Sequence, residues 1–82
     1  MGLKLKVLSY KDLLNILKFF GFQIHTQKGS HIKLLIIFGR DRQILIVPRH
    51  NPINSGTLKA IFKQASKYES EETLSPYFFI KK

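Results

Sequence analysis

Residues 27–31 read QKGSH and place a histidine directly after a polar turn. The imidazole of His31 could take a proton from a nucleophile near neutral pH, and Gly29 would let a phosphate group approach the backbone closely. On RNA, a base that removes the 2′-hydroxyl proton lets that oxygen attack the adjacent phosphodiester, and no metal ion is needed. Lys28 and Lys33 would stabilise the extra charge of the phosphorane, and Ser30 offers a hydroxyl. The residues alone leave a second interpretation, in which His31 ends a hairpin and hydrogen-bonds a backbone carbonyl.

Two further histidines are candidate site residues. His25 is interpreted as a surface strand residue, and a role as a second acid or base stays open. Arg49 and His50 lie in a loop, where His50 could either anchor the loop or reach a substrate. The three histidines are 6 and 19 residues apart, which matches no zinc pattern, and the chain has no cysteine. We therefore expect neither a metal ion nor a cofactor.

The charge of the chain is strongly asymmetric. Fourteen Lys and Arg residues against five Asp and Glu residues give a net charge of +9. Residues 1–68 carry twelve of these basic residues and two acids, a balance of +10. Such a surface attracts polyanions, so nucleic acid is the favoured partner; an anionic membrane, an acidic protein, or a merely solvated surface are the alternatives. Lys59, Lys63 and Lys67 recur every four residues and would form a basic stripe along a helix.

The apolar pattern predicts two helices. Ser9 and Asp12 have the spacing of a capping box, and the stripe that follows ends at Gly21. This predicts a first helix of about twelve residues, with an apolar side at three- and four-residue spacing. A second helix is predicted to begin near Ser55, and its apolar side is Leu58, Ile61, Phe62 and Ala65.

Three strands lie between these helices. They are predicted over residues 22–28, 32–38 and 43–47, with a four-residue turn at 39–42. The order α-β-β-β-α predicts an α+β fold in which a three-stranded antiparallel sheet has both helices on one face. We expect a domain over residues 1–68 and a C-terminal extension over 69–82, where residues 77–80 are a candidate short strand.

Alternation along the strands predicts one irregularity and one exposed apolar surface. A two-residue turn at Gly29-Ser30 would place Phe22 and Ile24 on the wrong face, so we expect a bulge or a three-residue loop at residues 29–31. The face away from the helices is predicted to carry Gln23, His25, Gln27 and Lys33. It also carries four apolar residues, Leu35, Ile37, Ile44 and Ile46. Either the C-terminal tail or another protein should cover them.

The sequence contains no signal for a membrane. Residues 1–9 lack the apolar segment and the cleavage site of a signal peptide, and no apolar run approaches the ~18 residues of a transmembrane span. We expect a cytoplasmic protein that does not bind a membrane.

Several separated motifs resemble those of the HicA toxin family. They are Gly21-Phe22, the QKGSH run, Val47-Pro48-Arg49-His50, Gly56-Thr57-Leu58 and the helix residues Ile61, Lys63, Gln64 and Ala65. The resemblance covers roughly residues 7–66. It implies a double-stranded-RNA-binding-like fold and a small ribonuclease that cleaves mRNA and is neutralised by a HicB-type antitoxin. It assigns the catalytic role to His31, with Lys28, Gly29 and Ser30 as motif neighbours and a less defined role for Arg49 and His50.

The resemblance and the residues together favour a metal-independent ribonuclease toxin. RNA contacts are predicted at Lys28, Gly29, Ser30, Lys33, Arg49, His50, Lys59, Lys63 and Lys67. We expect it to assemble with itself or with its antitoxin. The main alternative is a non-catalytic RNA-binding module of the same fold, and a further one is a protein-interaction domain that uses the apolar face.

Overall fold

The computed structural model describes residues 3–81. Eight elements follow one another along this part of the chain. They are β1 (Leu3–Leu5), α1 (Tyr10–Phe19), β2 (Gln23–Lys28), β3 (His31–Phe38), β4 (Asp41–Pro48), α2 (Ser55–Ala65), α3 (Glu71–Phe78) and β5 (Phe79–Lys81). The predicted α-β-β-β-α order is confirmed from α1 to α2, and the fold is α+β.

The first helix begins where its capping residues predict. The Asp12 amide donates to Ser9 Oγ at 3.1 Å, and the Ser9 amide donates to Asp12 Oδ2 at 3.2 Å. These two bonds satisfy backbone donors that have no partner inside the helix. The apolar side then buries Leu13, Leu14 and Leu17. The helix is shorter than predicted because Phe20 already leaves the helical conformation, and Gly21 follows with a φ of 101°.

The main sheet has the strand order β2-β3-β4, and all of its strands are antiparallel. Helices α1 and α2 pack on one face of this sheet. That face buries alternate residues of β3 and β4, which are Ile32, Leu34, Ile36, Leu45 and Val47. The predicted assignment of these five side chains to the core is confirmed.

The predicted irregularity exists, but its predicted position is wrong. Lys28 pairs with His31, so Gly29 and Ser30 form a two-residue turn without a bulge. The register shifts instead between Ile24 and Thr26, which makes His25 the extra residue. This extra residue places Ile24 on the helix-facing side of the sheet, as the sequence requires. Ile24 accordingly pairs with Leu34. The shift also corrects the prediction for Gln27, which pairs with buried Ile32 and so does not share the face of Lys33.

The second turn is tighter than predicted. Phe38 pairs with Asp41, so the turn consists of Gly39 and Arg40, and β4 begins two residues before the predicted strand. Gly39 adopts a φ of 64°, which glycine tolerates without a steric penalty. Successive strand residues point to opposite faces of the sheet, so a shift of two residues returns each side chain to the same face. The prediction that Leu45 and Val47 point to the helices is therefore correct.

The C-terminal tail packs beside the helices. It forms α3 and then β5, and β5 pairs with β1 in a separate two-stranded sheet through Leu5 and Phe79. The rings of Phe78 and Phe62 contact each other with centroids 5.2 Å apart. The predicted short strand is confirmed in part, since residues 79–81 are extended and 77–78 are helical. The division of the chain at residue 68 stays a prediction.

The sheet face away from the helices is called the open face below. The strand register assigns it Gln23, Thr26, Lys28, His31, Lys33, Leu35, Ile37, Arg42, Ile44, Ile46 and Pro48. Because the tail pairs with β1 and packs on α2, the first of the two predicted alternatives, cover by the C-terminal tail, is wrong. Ile37, Ile44 and Ile46 remain exposed.

Candidate active site

The QKGSH hairpin lies at one end of the main sheet. Gly29 adopts a φ of 61°, a left-handed conformation that allows the chain to reverse within two residues. A Cβ at Gly29 would meet no atom within 4 Å, so the space beside this turn is open. The turn places Lys28 and His31 directly opposite each other on β2 and β3. A backbone that is open at a glycine can be approached by a phosphate group.

His31 is the first residue of β3, and its ring is exposed. The ring Nδ1 lies 3.3 Å from Ser30 Oγ, which is a long hydrogen bond. In the tautomer that carries the proton on Nδ1, this bond donates to the serine and leaves the Nε2 lone pair free. An imidazole with a free Nε2 lone pair can accept a proton from a substrate hydroxyl.

Arg49 is joined to the hairpin by two hydrogen bonds. Its backbone amide donates to the Ser30 carbonyl at 2.7 Å, and its guanidinium Nη2 donates to Gln27 Oε1, also at 2.7 Å. Its neighbour Pro48 pairs with His31 across the β3–β4 ladder. The structure therefore brings a permanently charged guanidinium next to the histidine hairpin, although the two segments are about twenty residues apart.

Gln27 is the residue that sequence reasoning missed at this site. The periodicity placed it on the open face, and no local motif marks it as a partner of Arg49. Its role depends on the register of β2 after the bulge, which turns it to the face of Ile32. Within the sequence, the hydrogen-bonding capacity of its amide and its position in QKGSH were the available signals.

His50 anchors its loop through backbone groups. Its amide donates to the Pro48 carbonyl at 2.9 Å, and its carbonyl accepts from the Tyr10 amide, the first residue of α1, at 3.1 Å. The second bond satisfies a free helix N–H and attaches the loop to the helix. The His50 side chain is exposed. Of the two roles left open by the sequence, the backbone contacts agree with loop anchoring.

The basic residues divide into two groups. Lys28 and Lys33 flank His31 on the open face, and both are exposed. Lys59 and Lys63 lie on the exposed side of α2, and Lys67 lies in the turn beyond its end. Because α2 packs on the opposite face of the sheet, the structure does not place the lysine stripe on the face of His31.

Residues 3–81 show neither a membrane-spanning helix nor a metal-binding cluster. No helix there has the length and apolar content that crossing a bilayer requires. In the same residues, no three histidine, aspartate or glutamate side chains form a group able to hold a metal ion.

The fold and the site define a small basic α+β protein with an exposed histidine on a hairpin to which Arg49 is hydrogen-bonded. A protein-family model described as the HicA toxin of bacterial toxin–antitoxin systems matches residues 10–66, from the start of α1 to just beyond α2. The chain belongs to the HicA toxin family. Comparisons with curated proteins and with solved structures find no match. Membership makes this chain the toxin of a toxin–antitoxin pair, and its α3 and β5 lie outside the matched residues.

Proposed function

We propose that this toxin is a metal-independent endoribonuclease that cleaves mRNA, with His31 as the general base. The observation that carries the proposal is the position of exposed His31 directly opposite Lys28, with Lys33 on the same face of the sheet. A general base and cations on one face are the groups that phosphodiester cleavage by the 2′-hydroxyl uses.

The proposed reaction has one substrate and conserves its atoms. Nε2 of His31 accepts the 2′-hydroxyl proton, and the oxygen forms a bond to the adjacent phosphorus. The bond from phosphorus to the 5′-oxygen breaks, and a proton donor converts that oxygen to a hydroxyl. The products are a 2′,3′-cyclic phosphate and a 5′-hydroxyl end. Arg49, with Lys28 and Lys33, stabilises the negative charge that builds up on the phosphorane.

The accessible position of the site agrees with a polymer substrate. The residues around His31, from Gln27 to Lys33 apart from buried Ile32, are exposed. An RNA strand can reach this end of the sheet without entering a cavity, and the net charge of +9 raises its local concentration. Gly29 and Ser30 would contact the backbone phosphates at the turn, and the His50 loop lies beside them.

The test compares purified wild-type protein with His31→Ala on RNA in the presence of EDTA. Because general base catalysis contributes about 10²- to 10⁴-fold, we expect His31→Ala to fold and to cleave at least ~100-fold more slowly. His25→Ala is the matched control, since His25 is also exposed but is the bulged residue of β2. The products are checked for a cyclic phosphate. Equal cleavage by wild type and His31→Ala, or none by either, would refute the proposal.

A second candidate function is RNA binding without cleavage. It is favoured by the exposed stripe on α2, where Lys59, Lys63 and Lys67 could follow a phosphate backbone. This candidate predicts salt-sensitive binding of duplex RNA that the triple alanine variant of these lysines abolishes and that His31→Ala leaves unchanged.

The partner proposed for this toxin is a HicB-type antitoxin in the cytoplasm, in a complex that contains one or several copies of each chain. Size measurement of the co-purified pair tests this proposal. A toxin that elutes without its antitoxin after co-expression would contradict it.

A further inference from the structure

The centre of the open face is apolar and exposed. Ile37, Ile44 and Ile46 are 65%, 47% and 48% exposed, and half-buried Leu35 lies between them. Leu35 pairs with Ile44, and Lys33 pairs with Ile46, so the apolar side chains form one continuous surface on β3 and β4. Apolar side chains grouped in this way on a strand pair mark a contact surface rather than a solvated sheet.

The charges around this centre all have one sign. Lys28 and Lys33 lie at the His31 end, and Arg42 lies at the other end beside Ile37. The strand residues assigned to the open face include no acid, because Asp41 pairs with Phe38 and therefore points to the opposite face. Any partner that covers the centre must also approach these three cations.

The charges and side-chain types discriminate among occupants. A second copy would bring two chains of charge +9 together with cations at both ends of the contact, which is unfavourable. RNA would bind the cations, but the centre holds aliphatic side chains, and the aromatic ring among the strand residues assigned to this face, His31, lies at its end and not in the centre. A protein surface with apolar side chains between carboxylates can cover the apolar centre and pair with the cations at both of its ends.

We propose that the open face docks an acidic protein surface of this kind, and that the antitoxin of this toxin supplies it. The apolar side chains of the antitoxin cover Leu35, Ile37, Ile44 and Ile46, and its carboxylates approach Lys28, Lys33 and Arg42. This binding surface is separate from the lysine stripe on α2. It rests on the antitoxin partner proposed above, but it does not depend on whether His31 cleaves RNA.

The experiment measures binding of the purified antitoxin by calorimetry, with all toxin variants made in a His31→Ala background so that cleavage plays no part. The double variant Ile44→Asn/Ile46→Asn removes apolar contact area from the open face. Ile80→Asn is the matched control, because Ile80 is also a strand residue and is 47% exposed, against 47% and 48% for the pair. We expect roughly 30- to 100-fold weaker binding for the double variant and less than a twofold change for the control.

Several results would overturn the proposal. They are equal affinity for all three proteins, an equal loss in the control, or no binding by the parent. A parent that dimerises, with a dimer that the double variant dissociates, would identify a second copy as the occupant. Loss of RNA binding in the double variant would identify RNA. If circular dichroism shows that the double variant is unfolded, Ile37→Asn replaces it, since Ile37 is 65% exposed and no core position is altered.

Discussion

Phe78 connects the C-terminal tail to the core, and its replacement by alanine should strongly destabilise the protein. The side chain is 0% exposed and lies in α3, outside residues 10–66 that match the family model. Its ring meets Phe62 of α2 in an edge-to-face arrangement at 5.2 Å. Leu74, one helical turn earlier, is also fully buried.

The magnitude follows from burial. Replacing a buried phenylalanine by alanine costs about 3–5 kcal/mol, because the transfer free energy is lost and a cavity remains. A chain of 82 residues has a total free energy of unfolding of only about 4–12 kcal/mol. Phe78→Ala should therefore remove a large share of it and lower the melting temperature by about 12 °C or more.

Urea unfolding followed by circular dichroism measures this effect. Tyr77→Ala is the control, since it also removes a ring but from a side chain that is 37% exposed, and we expect about 1 kcal/mol there. Equal shifts for the two variants, or a shift below about 1 kcal/mol for Phe78→Ala, would refute the reasoning. That outcome would mean that residues 1–68 hold the fold without the tail.

Two further predictions concern the first helix and the hairpin. Ser9→Ala removes the acceptor of the Asp12 amide and should lower the free energy of unfolding by about 1 kcal/mol in urea titration, and no change would mean that the cap is not formed in solution. Gln27→Leu removes the acceptor of the Arg49 guanidinium and should lower kcat/KM for RNA cleavage about two- to tenfold. Gln23→Leu is the control, because Gln23 is also an exposed glutamine of β2, and it should leave cleavage unchanged. An equal loss of kcat/KM in the two variants would contradict a role for Gln27 in positioning Arg49.

The helices α1 and α2 could be predicted because their local signals agree with their burial. A capping box at Ser9 and an apolar stripe through Leu17 are visible within a few residues of each other. For α2, Asn54 accepts hydrogen bonds from two amides of the first turn, Gly56 and Thr57. The start predicted near Ser55 therefore agrees with the structure.

The position of the β2 bulge could not be predicted because residues 25–28 are all polar. Parity requires one extra residue between Ile24 and Ile32, but it can be inserted at any point where no apolar side chain marks the face. The prediction from the sequence is a bulge or a longer loop at residues 29–31. The protein instead inserts it at His25 and keeps a regular two-residue turn at Gly29 and Ser30.

The helix α3 was missed for two reasons. The residues around Glu71 and Glu72 are polar and show no apolar stripe, and Pro76 is normally unfavourable inside a helix. Burial of Leu74 and Phe78, four residues apart on one side, outweighs the cost of the proline. Ser70 as an N-cap, followed by two acids in the first turn, was a signal that could have identified the start of this helix.

For the site, the sequence could indicate His31 and its motif neighbours but not their geometry. The contact of Arg49 with Gln27 spans 22 residues and depends on the registers of two strand pairs. Such a contact has no local pattern, so the structure was needed to detect it.

The hydrogen bond from the Arg49 amide to the Ser30 carbonyl has a kinetic consequence. Because it closes the end of the sheet at an exposed turn, it can open by local fraying while the core stays folded. Each such opening detaches the backbone of Arg49 from the hairpin that carries His31, so the proposed site depends on this one closure. The exchange rate of the Arg49 amide with deuterated solvent is therefore a direct readout of how often the Arg49 loop is attached to the hairpin.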